Sequence, residues 1–312
     1  MKINIKIALL LLSIVFVACK ESKNNTADQT NQNLETVTVT HELGSVEIVK
    51  NPKRVVALDF ASLEMLDLLG VEVVGVPKTS MPEQLSKYKD DPSVVDLGNL
   101  KEINFELLNE LQPDVIFISG RMLEAYDEIS KIAPAVYTEI DYTQYLNSLK
   151  KITQMYATIF DASDVTQKAM QSLEDDINEL KSKVATTDKR ALIVLHNKGR
   201  FSAYGKNSRF GIIHDVFGVK QAVQDLEAGR HGQRISNEFI QNANPDYLYI
   251  IDRSAVVDKS ATNKEEIENQ LIQQTNAYKN GKIIYLDPEV WYLSGGGIYS
   301  LHKMIDQVRI NL

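Results

Sequence analysis

The chain is 312 residues long, with 34 Lys and Arg against 42 Asp and Glu, a net charge of −8. That balance excludes a general nucleic-acid binder, which needs a basic surface to displace counterions, but leaves room for a small basic pocket. A hydrophobic content of 44% with mean hydropathy −0.20 excludes wholesale disorder and a polytopic membrane protein, and the single cysteine excludes an internal disulfide or a Cys/His zinc cluster.

Residues 1–18 are expected to form an export signal: Lys2 and Lys6 supply positive charge, and Ile7 to Val17 is an apolar run too short to span a bilayer comfortably. The run ends in Phe16-Val17-Ala18-Cys19, which looks like a bacterial lipobox, where cleavage leaves the cysteine as an acylated N-terminus. Residues 19–35 are polar, with Ala27 and Leu34 as the apolar exceptions, and cannot bury enough surface to fold. The expectation is a lipid anchor on Cys19, a flexible tether, and a folded body outside the cytoplasm, on a periplasmic or cell-surface membrane face.

Thr36–Val49 alternates polar and apolar residues around Leu43-Gly44-Ser45 and predicts a β-hairpin. Arg54–Leu58 reads as a strand, Ser62–Leu69 as a helix stopped by Gly70, Val71–Val76 as a strand, Phe105–Leu111 as a helix, Val115–Ile118 as a strand and Leu123–Ile132 as a helix. Tyr145–Phe160 is a helix. A longer one follows, with Ser163 as N-cap and an apolar stripe at Val165, Ala169, Leu173, Ile177, Leu180 and Val184, making a rod of roughly 33 Å. The alternation then resumes: Ala191–Leu195 strand, Phe210–Val216 helix, Asn237–Asn242 helix, Tyr247–Ile251 strand, Ile283–Leu286 strand, and a closing helix from Tyr299. The Ser294-Gly295-Gly296-Gly297 run before it lacks a phosphate-loop pattern and reads as a flexible approach. The fold class is α/β, with an N-terminal lobe at 36–160, a connecting helix at 161–186 and a C-terminal lobe at 187–312; few contacts are expected to cross between lobes except through the helix.

An internal repeat supports that division. Ile103–Arg121 reads INFELLNELQPDVIFISGR and Ile235–Arg253 reads ISNEFIQNANPDYLYIIDR, aligned without a gap. Each unit carries a polar cap, a glutamate two residues on (Glu106, Glu238), a short helix, Pro-Asp, an apolar strand and an arginine just past it. In α/β sheets ligands bind beyond the carboxyl ends of strands, so Arg121 and Arg253 would face one cleft. Two planar, permanently charged guanidinium groups there favour an anion with delocalised oxygens. Glu106 and Glu238 lie in first helical turns, where the dipole favours carboxylates; they also fit as acidic knobs for basic sockets of a two-fold partner.

Further motifs carry a family resemblance: Pro52-x-Arg54-Val-Val, Ser208-Arg209-Phe210-Gly211, His231-Gly232, Ser236-Asn237-Glu238-Phe239, Asp252-Arg253 and Asp287-Pro288-Glu289-x-Trp291-Tyr292-Leu293. With the lipobox and the long helix, they make residues 36–312 resemble the iron-siderophore substrate-binding proteins of ABC importers, in particular the catecholate and petrobactin binders. That resemblance implies class III architecture, two lobes on a rigid helical backbone with little closure. It implies an arginine triad for a ferric catecholate trianion, at Arg121, Arg209 and Arg253 by motif, and His231 and Tyr292 as iron ligands when the siderophore is tetradentate. It implies permease contacts through Glu106 and Glu238, a monomer, and no intrinsic cofactor, the Fe(III)-siderophore being cargo.

The residues are consistent with that chemistry. Fe(III) is hard and suits a phenolate, with imidazole an acceptable partner. Arg209 opens a predicted helix, an unusual place for a cation unless an anion sits there too. Haem or a corrinoid are alternative cargoes for the same fold, haem tolerating a His/Tyr pair. A siderophore esterase is a remote alternative: there is no G-x-S-x-G elbow, and His196 and His214 have no evident Ser/Asp companions in sequence. A structural lipoprotein with an idle cleft is equally remote.

Overall fold

The computed structural model describes residues 35–312; the leader, Cys19 and most of the tether lie outside them. The predicted hairpin pairs β1 (Thr36–His41) with β2 (Gly44–Val49). The first sheet then holds β3 (Val55–Ala57), β4 (Val73–Val76), β5 (Val95–Asp96), β6 (Val115–Ile118) and β7 (Ala135–Tyr137), all parallel, in the order β5-β4-β3-β6-β7. Its central strands are continuous buried apolar runs, as expected when helices cover both faces. The chain winds outward one way from β3 and returns beside it as β6, so the loops after these two strands meet at the topological switch point.

The second sheet is mixed. It comprises β8 (Arg190–Asn197), β9 (Arg200–Tyr204), β10 (Lys220–Gln221), β11 (Gln233–Ile235), β12 (Tyr247–Asp252) and β13 (Ile283–Leu286). Its main path is β11-β9-β8-β12-β13, with β10 pairing β8; β12 is parallel to β8 and β13, whereas β9 is antiparallel to both neighbours.

Between the sheets run helix Tyr145–Phe160 and the 22-residue connecting helix Ser163–Val184. Two details of the predicted rod change. Ala162 is the cap and Ser163 the first helical residue. The buried stripe is Thr166, Met170, Leu173, Ile177, Leu180 and Val184; Val165, expected inside, is 42% exposed. The left-handed Asp161 (φ 53) ends the preceding helix and rotates the start of the new one by one position.

The expectation that few contacts cross between halves is corrected. A single core cluster runs from Val55 and Phe117 through Leu173 and Ile177 to Ile193 and Tyr249. The closing helix Ile298–Arg309 packs on both the connecting helix and helix Phe60–Leu68. A buried carboxylate pins it: Glu64 Oε2 accepts from Ser300 N–H at 2.9 Å, Oε1 from the Ser300 hydroxyl and from Gln84 Nε2. Burial pushes the Glu64 carboxyl up, against those hydrogen bonds. The glycine run is therefore not a loose approach: a Cβ at Gly297 would collide with this carboxylate, so the residue is small because the chain passes Glu64 at close range.

Candidate functional site

Both repeat units form the same local device. Asn104 Oδ1 accepts from Leu107 N–H and Ser236 Oγ from Phe239 N–H, capping the two short helices. Gln112 and Asn244, equivalent positions, are both left-handed (φ 41 each) and turn the chain into Pro-Asp. Asp114 Oδ2 then accepts from Lys53 and Arg54 N–H at 2.8 Å each, and Asp246 Oδ2 from Arg190 N–H at 2.9 Å. Each aspartate ties its strand, β6 or β12, to the start of the neighbouring strand, β3 or β8. Arg54 takes part as well, donating through Nε to Leu111 O at 2.7 Å and closing the helix end. The arginines that follow β6 and β12 thereby stand at the switch points of both sheets.

Arg121, Arg209 and Arg253 converge on one residue, Tyr292. Arg121 Nη2 donates to Tyr292 O at 2.5 Å and Nη1 to Leu293 O at 3.3 Å. Arg209 Nη2 donates to the same Tyr292 carbonyl at 2.6 Å, and Arg253 Nε to the Tyr292 hydroxyl at 2.9 Å, with Nη1 on Asn197 Oδ1 at 3.1 Å. The guanidinium carbons lie 5.7, 4.4 and 5.7 Å from the Tyr292 ring centroid for Arg121, Arg209 and Arg253. Burial opposes ionisation of Tyr292, but the Arg253 hydrogen bond and the charges of Arg209, Arg253 and Arg121 outweigh it and hold the phenol below its ordinary value. Burial, then the Arg209 charge, pushes Arg121 down to about 10, still a cation at neutral pH.

Arg209 needs correction in one respect. It lies in a turn, and the helix behind it is the single turn Ile212–Asp215 capped by Gly211. A helix-dipole argument for an anion therefore does not hold there; what places Arg209 is its own backbone N–H on Gly229 O at 3.2 Å and its stacking beside Phe210 and Tyr292. His231 is exposed in the neighbouring loop, where its carbonyl accepts from the Tyr204 hydroxyl at 3.0 Å. Its ring is not brought into the lining that Arg121, Arg209 and Tyr292 share.

Glu106 and Glu238 are both exposed, two residues past their caps. Each helix runs back along the strand it precedes, so its N-terminus lies at the carboxyl edge of the sheet, the edge that carries the arginines. A hydrogen bond with the Ser236 hydroxyl holds the Glu238 carboxyl below its usual value.

Three site residues escaped the sequence reading. Asn197 ends β8 and clamps Arg253. Arg230 and Glu139 form an ion pair (2.7 Å) in the same lining. Their partners lie far away in sequence, and the one local signal was Arg230 beside the glycine-flanked His231. His196 does have a companion: its Nδ1 pairs with Asp252 Oδ1 at 3.2 Å, and its Nε2 accepts from Gly199 N–H at 3.0 Å. One nitrogen thus fixes the end of β12 and the other the turn between β8 and β9. His214 is a core residue with Nδ1 on Val219 O at 2.7 Å, pushed down by burial to about 4.

Among the described residues no group of three or more His, Cys, Asp or Glu is placed to hold a metal, and no helix is long and apolar enough to cross a membrane. What the cleft offers is the positive charge of Arg121 and Arg209, the phenol of Tyr292 beside them and the further aromatic surface of Phe210, Tyr142, Tyr145, Tyr156 and Trp291, the chemistry of binding a large anion.

A family model described as periplasmic binding protein matches residues 55–290. Petrobactin-binding protein YclQ of Bacillus subtilis is 41% identical over 308 residues, 97% of this chain and 96% of that protein. Its crystal structure has a TM-score of 0.86 at 42% identity, over 89% of this chain and 98% of that one. Ferric-anguibactin-binding protein FatB of Vibrio anguillarum is 38% identical over 312 residues, 98% of this chain and 97% of that protein. The periplasmic catecholate-siderophore binding protein VctP of Vibrio cholerae has a TM-score of 0.84 at 32% identity, over 88% of this chain and 100% of that one.

Proposed function

This chain belongs to the periplasmic binding protein family, and from that premise we propose that it captures a ferric catecholate siderophore between its lobes and delivers it to a membrane ABC importer. The observation that carries the reading is the convergence of Arg121, Arg209 and Arg253 on Tyr292. The Tyr292 carbonyl and hydroxyl keep the guanidinium groups oriented, so little reorganisation is needed when a catecholate oxygen takes up those donors. Siderophore-binding relatives at 41% and 38% identity favour this cargo over haem or a corrinoid.

The lobes are 36–160 and 187–312, with 161–186 between them, and binding involves little closure. Tyr292 stands ready as a phenolate donor to Fe(III). With a tetradentate siderophore His231 supplies the second protein ligand, its loop carrying the imidazole inward to the iron; a hexadentate one needs neither. Glu106 and Glu238 meet basic sockets of the permease. Cys19 carries the lipid that holds the protein, as a monomer, on the outer face of a membrane. No bond of the siderophore is made or broken: His196, paired with Asp252, spends both nitrogens on structure.

The chain has one tryptophan, Trp291, beside Tyr292, which makes it a built-in reporter. Fluorescence titration against ferric catecholates, hydroxamates, citrate and haem is expected to show saturable quenching with catecholates at the lowest concentrations. Saturation by haem alone, or by none of the panel, would overturn the reading.

A further inference from the structure

Beside Arg121 and Arg209 a third guanidinium group lines the cleft, and it is already taken; Arg253 reaches the site through the Tyr292 hydroxyl and is not in that lining. Arg230, in the loop between β10 and β11, donates through Nη1 to Glu139 Oε1 at 2.7 Å. Glu139 follows β7, so the pair crosses from the second sheet to the first. The carboxylate is held in place by its own side: Oε2 accepts from Gly120 N–H at 2.7 Å, and Oε1 from the Tyr142 hydroxyl at 2.8 Å. Gly120 leaves the room, since a Cβ there would collide with Arg230 and lie 2.9 Å from the Glu139 carboxyl carbon. The side chains are 31% and 17% exposed, so solvent screens them only in part.

The other cationic groups of the site differ. Among the described residues Arg121, Arg209 and Arg253 make no ion pair with a carboxylate; their partners are carbonyl, hydroxyl and amide oxygens. Asp59, the second carboxylate in the lining, is engaged by the Ser62 N–H and hydroxyl. The site thus holds an asymmetric set among the described residues: Arg121, Arg209 and Arg253 without a carboxylate partner, and Arg230 cancelled by Glu139.

We infer that Glu139 is a specificity-determining residue: by pairing with Arg230 across the cleft it withholds one guanidinium group from the ligand and limits how much negative charge the site prefers. Coulomb energy scales with the product of the charges, so an added unpaired cation favours a trianion more than a monoanion. Releasing Arg230 would therefore shift the site toward hexadentate tris-catecholate complexes, and the intact pair keeps singly negative tetradentate complexes competitive. The pair also links the two lobes, since Arg230 stands in the loop between β10 and β11 and Glu139 in the segment after β7.

This inference rests on the siderophore reading, and the test separates the two. Fluorescence titrations would compare the ferric complexes of a hexadentate tris-catecholate and a tetradentate bis-catecholate on wild type, Glu139→Gln, Arg230→Gln and the double variant. Glu139→Gln is expected to raise the preference for the trianion about tenfold, the scale of one unit charge across a half-buried gap. Arg230→Gln, which leaves Glu139 unpaired, is expected to lower that preference by a similar factor. The double variant, with the wild-type net charge, is expected to return to within about threefold of wild type. Unchanged selectivity in both single variants, or a double variant no closer to wild type than Arg230→Gln, overturns the inference while leaving the functional reading intact. Wild type binding neither complex overturns both. The Arg230→Gln and double variants keep the test decisive should Glu139→Gln fail to fold.

Discussion

The units Ile103–Arg121 and Ile235–Arg253 share a scaffold and differ at its end. Cap, left-handed residue, Pro-Asp and the aspartate tie to the neighbouring strand repeat position for position. Past the strand they part: β12 runs on to Asp252, whereas β6 stops at Ile118. The position that is Gly120 in the first unit, emptied for the Arg230–Glu139 pair, is Asp252 in the second, where the carboxylate caps Ser254 N–H and holds His196. Arg121, which burial pushes down to about 10, lies against main-chain carbonyls, and Arg253 lies against a phenol and an amide. The shared scaffold places the cations, and the residue before each arginine differs along with what they touch.

The comparison can be broken most forcefully through binding. Arg121→Ala is expected to weaken ferric catecholate binding by about 4 kcal/mol and Arg253→Ala by about 2 kcal/mol, because truncation costs more where the group is more desolvated; quenching titrations check this, and equal losses would erase the asymmetry. Next come the shared aspartates. Asp114 accepts from two N–H groups and Asp246 from one, so Asp114→Ala should cost about 3 kcal/mol of stability and Asp246→Ala about half that, measured by denaturant unfolding.

How much of this could be read beforehand depends on whether the cause is local. The hairpin, β6, helix Tyr145–Phe160 and β13 follow from alternation, spacing and length alone, and so do the two repeat units, whose caps and turns lie within their own residues. The strand β9 is hard to read because a single glycine, Gly199 (φ 74), is the one left-handed signal in its two-residue turn, the other residue being Lys198 (φ 52). The short strands β5, β10 and β11 have too few residues for a period to show. In the cleft the motif-derived arginines and Tyr292 do meet, whereas Glu139, Arg230 and Asn197 act through partners distant in sequence, which no local pattern encodes. The glycine run before the closing helix is opaque for the same reason, since the cause of Gly297 is Glu64.

Smaller effects sharpen the contrast. Gly120→Ala is expected to cost about 2 kcal/mol of stability by driving Arg230 off Glu139, and Asp252→Ala about 1 kcal/mol through its lost cap; thermal unfolding would rank them. The smallest effect concerns the Glu64 contact that joins helix Phe60–Leu68 to the closing helix. Burial raises the Glu64 carboxyl in the folded state, so its contribution to stability is complete below the unfolded value and is lost as pH rises through the folded one. Glu64→Gln should remove that loss: its stability relative to wild type, followed by thermal unfolding, should improve as pH rises from about 4 to 7. A difference independent of pH would mean that Glu64 keeps its ordinary affinity for protons.

The central claim is that Arg121, Arg209 and Arg253 together hold one metal-loaded anion. Arg209→Ala tests it most directly, because Arg209 lies outside both repeat units and comes 4.4 Å from the Tyr292 ring centre. Titrated with a ferric tris-catecholate and followed by Trp291 fluorescence, the folded variant should bind at least about thirtyfold more weakly than wild type. Binding as tight as wild type would contradict the account.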